Sequence, residues 1–371
     1  MISALKRLDS KFLIMVGCLI GLPIFVLLIL AIMQGCGNKK ISYDKYEEKM
    51  LEAAEKYVSK KNNELKEEGS VITIELNELV KSGYIKSTEK LLDDTSCNGS
   101  VSVRRNGSSI ESTNGGYLNY TVNLTCKDYK TTHLVDKIKE EVVTEGSGLY
   151  QTENTYIFKG DKVDNYIMFF DNLYRIMSVD ENGILKLVKV YSETPSRVWD
   201  NKFNVETNRY SGKNIYKDSN MLAALNHDYQ NTKKISTKAK QHIVAYDACI
   251  GKRSASDHTI SKEIDCSEKL DKQLVSLLNI SDYAMASLDP DCKNLRSRSC
   301  GNYNYLRNIV STTWTLNASK DNTYDVIYLS DGLMELNNAK TSMRYNIVIY
   351  VDGNELYTEG KGTETNPYII N

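Results

Sequence analysis

The sequence predicts an α+β protein in three parts: an N-terminal transmembrane helix, a small helix-plus-antiparallel-sheet domain and a larger β-rich α+β domain. Three observations predict it. Residues 12–33 form an apolar run without a charge. A helical stripe over residues 43–58 is followed by strand-like alternation up to Cys126. Beyond residue 155, short alternating runs recur, punctuated by Asp, Asn and Gly.

The apolar run comes first. At about 1.5 Å per residue, a helix over residues 12–33 is roughly 33 Å long and crosses a hydrocarbon core of about 30 Å. Lys6, Arg7 and Lys11 precede it, so residues 1–11 are expected in the cytoplasm, 12–34 in the cell membrane and the bulk of the chain outside, single-pass. A cleaved signal peptide is the rival reading, and it requires a shorter apolar core with a small-x-small site. Gly17 and Gly21 form a GxxxG, a pattern that lets two lipid-embedded helices approach and so suggests a homodimer. Gly35-Cys36 brushes against a lipoprotein box, which makes Cys36 a candidate for lipidation.

Net charge is −1, so no basic surface marks the chain for nucleic acid. Of eight cysteines, Cys97, Cys126, Cys249, Cys266, Cys292 and Cys300 lie beyond the anchor, where an even number reads as disulfides. No CxxC and only four histidines argue against a structural zinc site.

The next element starts at Ser42, a good N-cap, and places Tyr43, Tyr46, Met50, Ala53, Ala54, Tyr57 and Val58 on one face. Val71 to Leu76 alternates as a strand, and Glu78 to Lys81 with Gly83 reads as a short capped helix. Cys97 to Cys126 is a hairpin. Opposed residues in an antiparallel pair have a constant sum, and pairing Cys97 with Cys126 also sets Val101 against Val122 and Val103 against Tyr120, with all six side chains on one face. Cys249–Cys266 and Cys292–Cys300 follow from proximity in sequence alone.

The expected divisions are therefore 41–135 for the first domain, 136–155 for a charged linker and 156–371 for the head. Within the head, Tyr166–Phe170, Leu173–Val179 and Ile184–Tyr191 read as strands turning at Asp171-Asn172 and at Asp180 to Gly183. Asn220–Tyr229 reads as a helix, and Leu270–Leu278 as an amphipathic segment. Tyr324–Leu329, Leu333–Leu336 and Tyr345–Val351 read as closing strands that turn at Asp331-Gly332 and Asp352-Gly353.

No phosphate loop, HExxH or GxSxG is present. Asp289-Pro-Asp291 and Asp321-Asn322 lack the ligand spacing of a calcium loop and read as turns. Trp199 and Trp314 are the candidate ligand contacts, because exposed Trp often marks a binding face. No metal, cofactor or catalytic residue is assigned.

The chain resembles a family of uncharacterised, membrane-anchored surface proteins of low-GC Gram-positive bacteria. The matching stretches are Gly35-Cys36-Gly37 with Ile41 to Glu47, Gly83 to Lys86, and the Cys97–Cys126 hairpin with Tyr129 to Thr131. Tyr174-Arg175-Ile176, Asn302 to Leu306, Trp314 to Leu316, Gly360 to Thr363 and Asn366 to Tyr368 complete them. The resemblance implies a pilin-type front, although the processed start of true pilins is absent. It also implies a back half similar to C-type-lectin-like or formylglycine-enzyme-like folds, without the catalytic cysteines of the latter. The expected function is a non-catalytic binding or adhesion module for an extracellular glycan or protein, tied to the lipid bilayer through residues 12–34. A structural envelope or pilus-like component and an extracytoplasmic enzyme are the alternatives.

Overall fold

A computed structural model describes residues 40–371 except 62–64, 66, 68, 107–116 and 311. The expected membrane span, Gly17, Gly21 and Cys36 lie outside the described residues. Among those described, no helix is long and apolar enough to cross a membrane.

The front half is built on α1 (Tyr43–Lys61). Ser42 starts it, its carbonyl accepting from Tyr46 N–H at 3.0 Å. The predicted stripe is its buried face: Tyr46, Met50, Ala53, Ala54 and Tyr57 pack on β1 (Val71–Glu75), β2 (Asn98–Asn106) and β3 (Tyr117–Thr125). Between the first two strands, α2 (Leu76–Lys81) and α3 (Thr88–Leu91) add Leu76, Leu79 and Leu91 to this core. Side chains of this size contribute about 1.5–3 kcal/mol each when fully buried. The sheet is antiparallel in the order β1-β2-β3, and Val101 faces Val122 and Val103 faces Tyr120, the register expected from the constant sum. Cys97 and Cys126 close its open end as a disulfide, with Cα atoms 4.0 Å apart. Glu47, 3% exposed, accepts from Tyr129 at 2.9 Å and from Thr131, stitching the strand's exit to the helix.

A second, larger hydrophobic cluster begins at Leu134. The expected linker 136–155 is not one. Leu134, Val135 and Ile138 of α4 (Leu134–Lys139) are buried in this cluster, and β4 (Gly148–Gln151) is a sheet strand. The charges that suggested a linker sit on the outer face of α4, where Lys137 pairs with Glu140 at 2.6 Å. The break between the two clusters falls between Cys126 and Leu134.

The main sheet has the order β16-β8-β7-β5-β4, with β6 on β7 and β17 parallel to β6. Its strands are β5 (Tyr156–Lys159), β6 (Tyr166–Phe169), β7 (Asn172–Val179), β8 (Ile184–Lys189), β16 (Val348–Asp352) and β17 (Tyr368–Ile370), besides β4. The β6–β7 turn is Phe170-Asp171, one residue earlier than expected. Phe169 faces Asn172 across it, and Phe170 adopts φ 52°. Gly183 turns β7 into β8 at φ 80°, as its position predicted.

Around this sheet lie β9 (Arg197–Val198), α5 (Asn220–Gln230), α6 (Thr237–His242), β10 (Tyr246–Cys249), α7 (Lys262–Asp265), β11 (Lys269–Gln273) and α8 (Ile280–Met285). The remaining strands are β12 (Thr312–Ala318), β13 (Asp325–Ser330), β14 (Leu333–Asn338) and β15 (Ser342–Met343). β12, β13 and β14 form a meander whose last turn, Asp331-Gly332, has φ 48° and 83°, the primed turn that suits a twisted hairpin. Cys249–Cys266 and Cys292–Cys300 are both paired. The architecture is thus α+β with several small sheets.

Candidate binding surface

Neither tryptophan is a ligand contact. Trp199 and Trp314 are both 0% exposed. Trp199 Nε1 donates to Thr315 O at 3.3 Å, and Trp314 Nε1 donates to Arg197 O at 3.0 Å. Each indole therefore satisfies a carbonyl beside the other, and the pair clasps β9 to β12. An indole buries a large apolar area and needs one partner for its N–H, which a strand carbonyl supplies.

Two exposed aromatics, Phe203 and Tyr210, lie just beyond Trp199, in residues 200–215. This loop is inside out. Asp200, Asn204, Ser211 and Asn214 are at most 2% exposed, whereas Phe203 is 41%, Val205 82%, Tyr210 71% and Ile215 43% exposed. Burying amides without partners is costly, so the buried amides must be satisfied, and those of Asn204 and Asn214 are. Asn204 Nδ2 donates to Gly212 O at 2.9 Å and to Thr323 O at 3.1 Å. Asn214 Nδ2 lies within hydrogen-bond reach of three carbonyls, Ser319 at 2.9 Å, Asn322 at 2.8 Å and Asp325 at 3.0 Å. Its Oδ1 accepts from Lys252 Nζ at 2.8 Å. Asp200 Oδ2 accepts from the backbone N–H of Lys213 at 2.7 Å and of Lys202 at 3.2 Å.

Gly212 is required where the loop folds back on itself. Its φ is 82°, and a Cβ there would lie 2.3 Å from Asp200 O. The tip closes through a reciprocal bond pair between Asn204 and Arg209, with Asn208 at φ 51°. On the outside, the Phe203 and Tyr210 rings meet edge to face at 5.4 Å. The polar interior thus fixes the backbone, while the apolar side chains stand in solvent.

Sequence reasoning missed Phe203, Val205, Tyr210 and Ile215. The available signal was a run dense in Asn, Ser and Gly that also carried Phe, Val, Tyr and Ile with neither a helical nor a strand period.

The other candidates resolve into structural roles. Asp289 accepts from Asn302 and from Asp291 N–H, which closes a turn, and Asp321 accepts from Ser254 and Ala255 N–H, which ties two loops together. Asp94, Cys97 and Cys126 cluster closely, but these cysteines are bonded to each other and hold no thiolate for a metal. His133 lies 3.0 Å from Val122 O, His258 lies 2.8 Å from Ala255 O, and His242 Nδ1 lies 2.6 Å from Glu355.

Compared with protein-family models, curated proteins and solved structures, the chain matches none.

Proposed function

We propose that the chain is a membrane-anchored, outward-facing binding module that engages an extracellular protein or glycan through Phe203, Val205, Tyr210 and Ile215, without catalysis. The observation that carries this reading is the inverted loop. Isolated exposed apolar residues are ordinary on a protein surface. Four of them on one loop, held by a buried polar framework, form a preorganised contact surface whose ordering cost is met before the ligand arrives. The uncharged run at residues 12–33 and the family resemblance support the anchoring and the outward topology.

The test uses the full chain displayed on cells, with purified peptidoglycan and an array of host glycans as probes. Retention on one of them, reduced about tenfold or more by Phe203→Ser with Tyr210→Ser at unchanged Tm, supports the reading. Retention on neither, or equal retention by the double variant, overturns it. A pilus-like role predicts instead that purified protein assembles with itself.

A further inference from the structure

The junction between the front and back halves contains a second feature, a cleft of about 360 Å³. Two sheet edges line it, Leu118 to Tyr120 of β3 and Ile369 to Ile370 of β17. Among the described residues, β3 has only β2 as a partner strand, and β17 has only β6.

Which backbone groups face the cleft follows from the hydrogen bonds. The N–H of Arg105 donates to Ser70 O and its C=O accepts from Gly69 N–H, so odd-numbered residues of β2 bond toward β1 and even-numbered ones toward β3. Through the register Arg104↔Asn119 and Ser102↔Thr121, odd residues of β3 bond to β2. Leu118, Tyr120, Val122 and Leu124 therefore turn their N–H and C=O outward. The chain itself covers the far part of this edge. Leu124 N–H donates to Thr131 Oγ1 at 2.6 Å, Leu124 O accepts from Thr131 N–H at 2.9 Å, and Val122 O lies 3.0 Å from His133 Nε2. At Tyr120 the cover stops. No hydrogen bond among the described residues reaches the outward groups of Tyr120 and Leu118.

The same holds opposite. Phe170 N–H donates to Ile370 O at 2.7 Å, so Ile370 bonds toward β6 and its neighbour Ile369 presents N–H and C=O the other way, with no partner among the described residues. Proteins ordinarily cap, twist or charge such edges, because a bare edge recruits another strand.

The side chains give the recruit a character. Glu55 and Glu355 line the cleft and, among the described residues, no Lys or Arg does. Glu355 is held in place by Asn119 Nδ2 at 2.5 Å and by His242 Nδ1 at 2.6 Å. Burial first, and then the charge of Glu55, push the Tyr120 phenol up to about 12, so it remains a donor beside that carboxylate. Asn119 is 2% exposed and its Oδ1 has no partner, an acceptor left over at the same wall. Leu118, Leu356 and Ile369 supply apolar contact between the charges.

We propose that this cleft binds an extended peptide bearing Lys or Arg. Its backbone would add a strand to the open stretch of β3 or β17, and its cationic side chains would meet Glu55 and Glu355. Main-chain pairing supplies affinity in such a mode and alternate side chains supply selectivity.

The experiment uses the full chain in detergent and three fluorescent peptides: Thr-Lys-Val-Lys-Thr, the same peptide N-methylated at its three central residues, and Thr-Glu-Val-Glu-Thr. The lysine peptide is expected to bind, and the other two to bind at least about tenfold more weakly, the first for want of N–H donors and the second through like charge. Glu55→Gln, a surface change, is expected to weaken the lysine peptide severalfold at unchanged Tm. Ile369→Pro, which removes one outward N–H, tests the β17 edge if it folds. Amide exchange at Leu118 and Tyr120 should be fast without peptide and slow with it. Equal binding of all three peptides, or none, overturns the proposal. So does protection of those amides that rises with protein concentration alone, which would assign the edge to a second copy.

Discussion

Asn214→Asp replaces the amide that braces the inverted loop with an isosteric carboxylate. The amide orientation is unambiguous, because three carbonyl oxygens surround Nδ2 and the Lys252 ammonium meets Oδ1. An Asp there turns an oxygen toward those carbonyls and leaves them without a donor. Each unsatisfied buried acceptor costs about 1–3 kcal/mol. Asp325 O keeps a bond from Ser319 N–H, so two carbonyls carry most of the loss, and Lys252 offsets part of the new charge. A net cost of about 4 kcal/mol at pH 7 follows. The introduced carboxyl is disfavoured as an anion by burial and by the carbonyls, so its folded pKa lies above the unfolded value of about 3.9. The folded state then holds the proton that the unfolded state has released. The ionisation part of the deficit, absent below about pH 4, grows as pH rises to the folded pKa and is complete above it. Calorimetry of variant and native protein across pH 4–8, with hydrogen exchange over residues 202–216, reads both the global and the local cost. A variant as stable as native at pH 7, with unchanged exchange in the loop, would refute the reasoning.

Three further outcomes follow from the fold. Trp314→Phe should cost about 2–3 kcal/mol, from one lost hydrogen bond and a small cavity, in chemical denaturation; a loss of ligand binding at unchanged stability would restore Trp314 as a contact. Replacing both Cys97 and Cys126 by Ser should lower front-half stability by about 3–4 kcal/mol in the chain-entropy model, and peptide mapping of the unreduced native protein should return that pair and no link from Cys97 to the back half. Lys262→Met should stabilise the fold by about 1 kcal/mol, read as a raised Tm, because burial, the largest influence, holds the Lys262 ammonium below its usual range. The penalty of keeping that charge applies below the folded pKa and is gone above the unfolded value of about 10.4, so the advantage of the variant should shrink as pH rises through that interval; an advantage that does not change with pH would point to packing instead.

How legible each part was depended on how local its cause is. The hairpin register could be read because alternation over residues 101–124 admits one pairing that keeps Val101, Val103, Val122 and Leu124 on the core side. Turns at Asp331-Gly332 and Gly183 were readable because positive φ selects the residue type. The burial of Trp199 was not, since the carbonyl that satisfies it belongs to Thr315, far along the chain. The inverted loop was hidden for the same reason. Asn204 and Asn214 look like solvent-exposed turn residues until Ser319, Asn322, Thr323 and Asp325 fold over them. The supposed linker failed differently, because a helix as short as Leu134–Lys139 buries three side chains and shows too little period to outweigh its charges.

On the proposed reading, in which a membrane holds one end and a ligand grips residues 200–215, the disulfides have a mechanical consequence. Tension between those points enters at the N-terminal side and meets Cys97–Cys126 on its way. The covalent bridge takes the load across the hairpin, so the 29-residue separation between these cysteines cannot be drawn out. At about 3.4 Å per residue, roughly 100 Å of slack is withheld. Cys249–Cys266 and Cys292–Cys300 lie beyond the grip in sequence and bear none of the pull. Under that load only the segments between residue 40 and Cys97 and between Cys126 and the loop could extend, and reduction of this one bond would lengthen the tether.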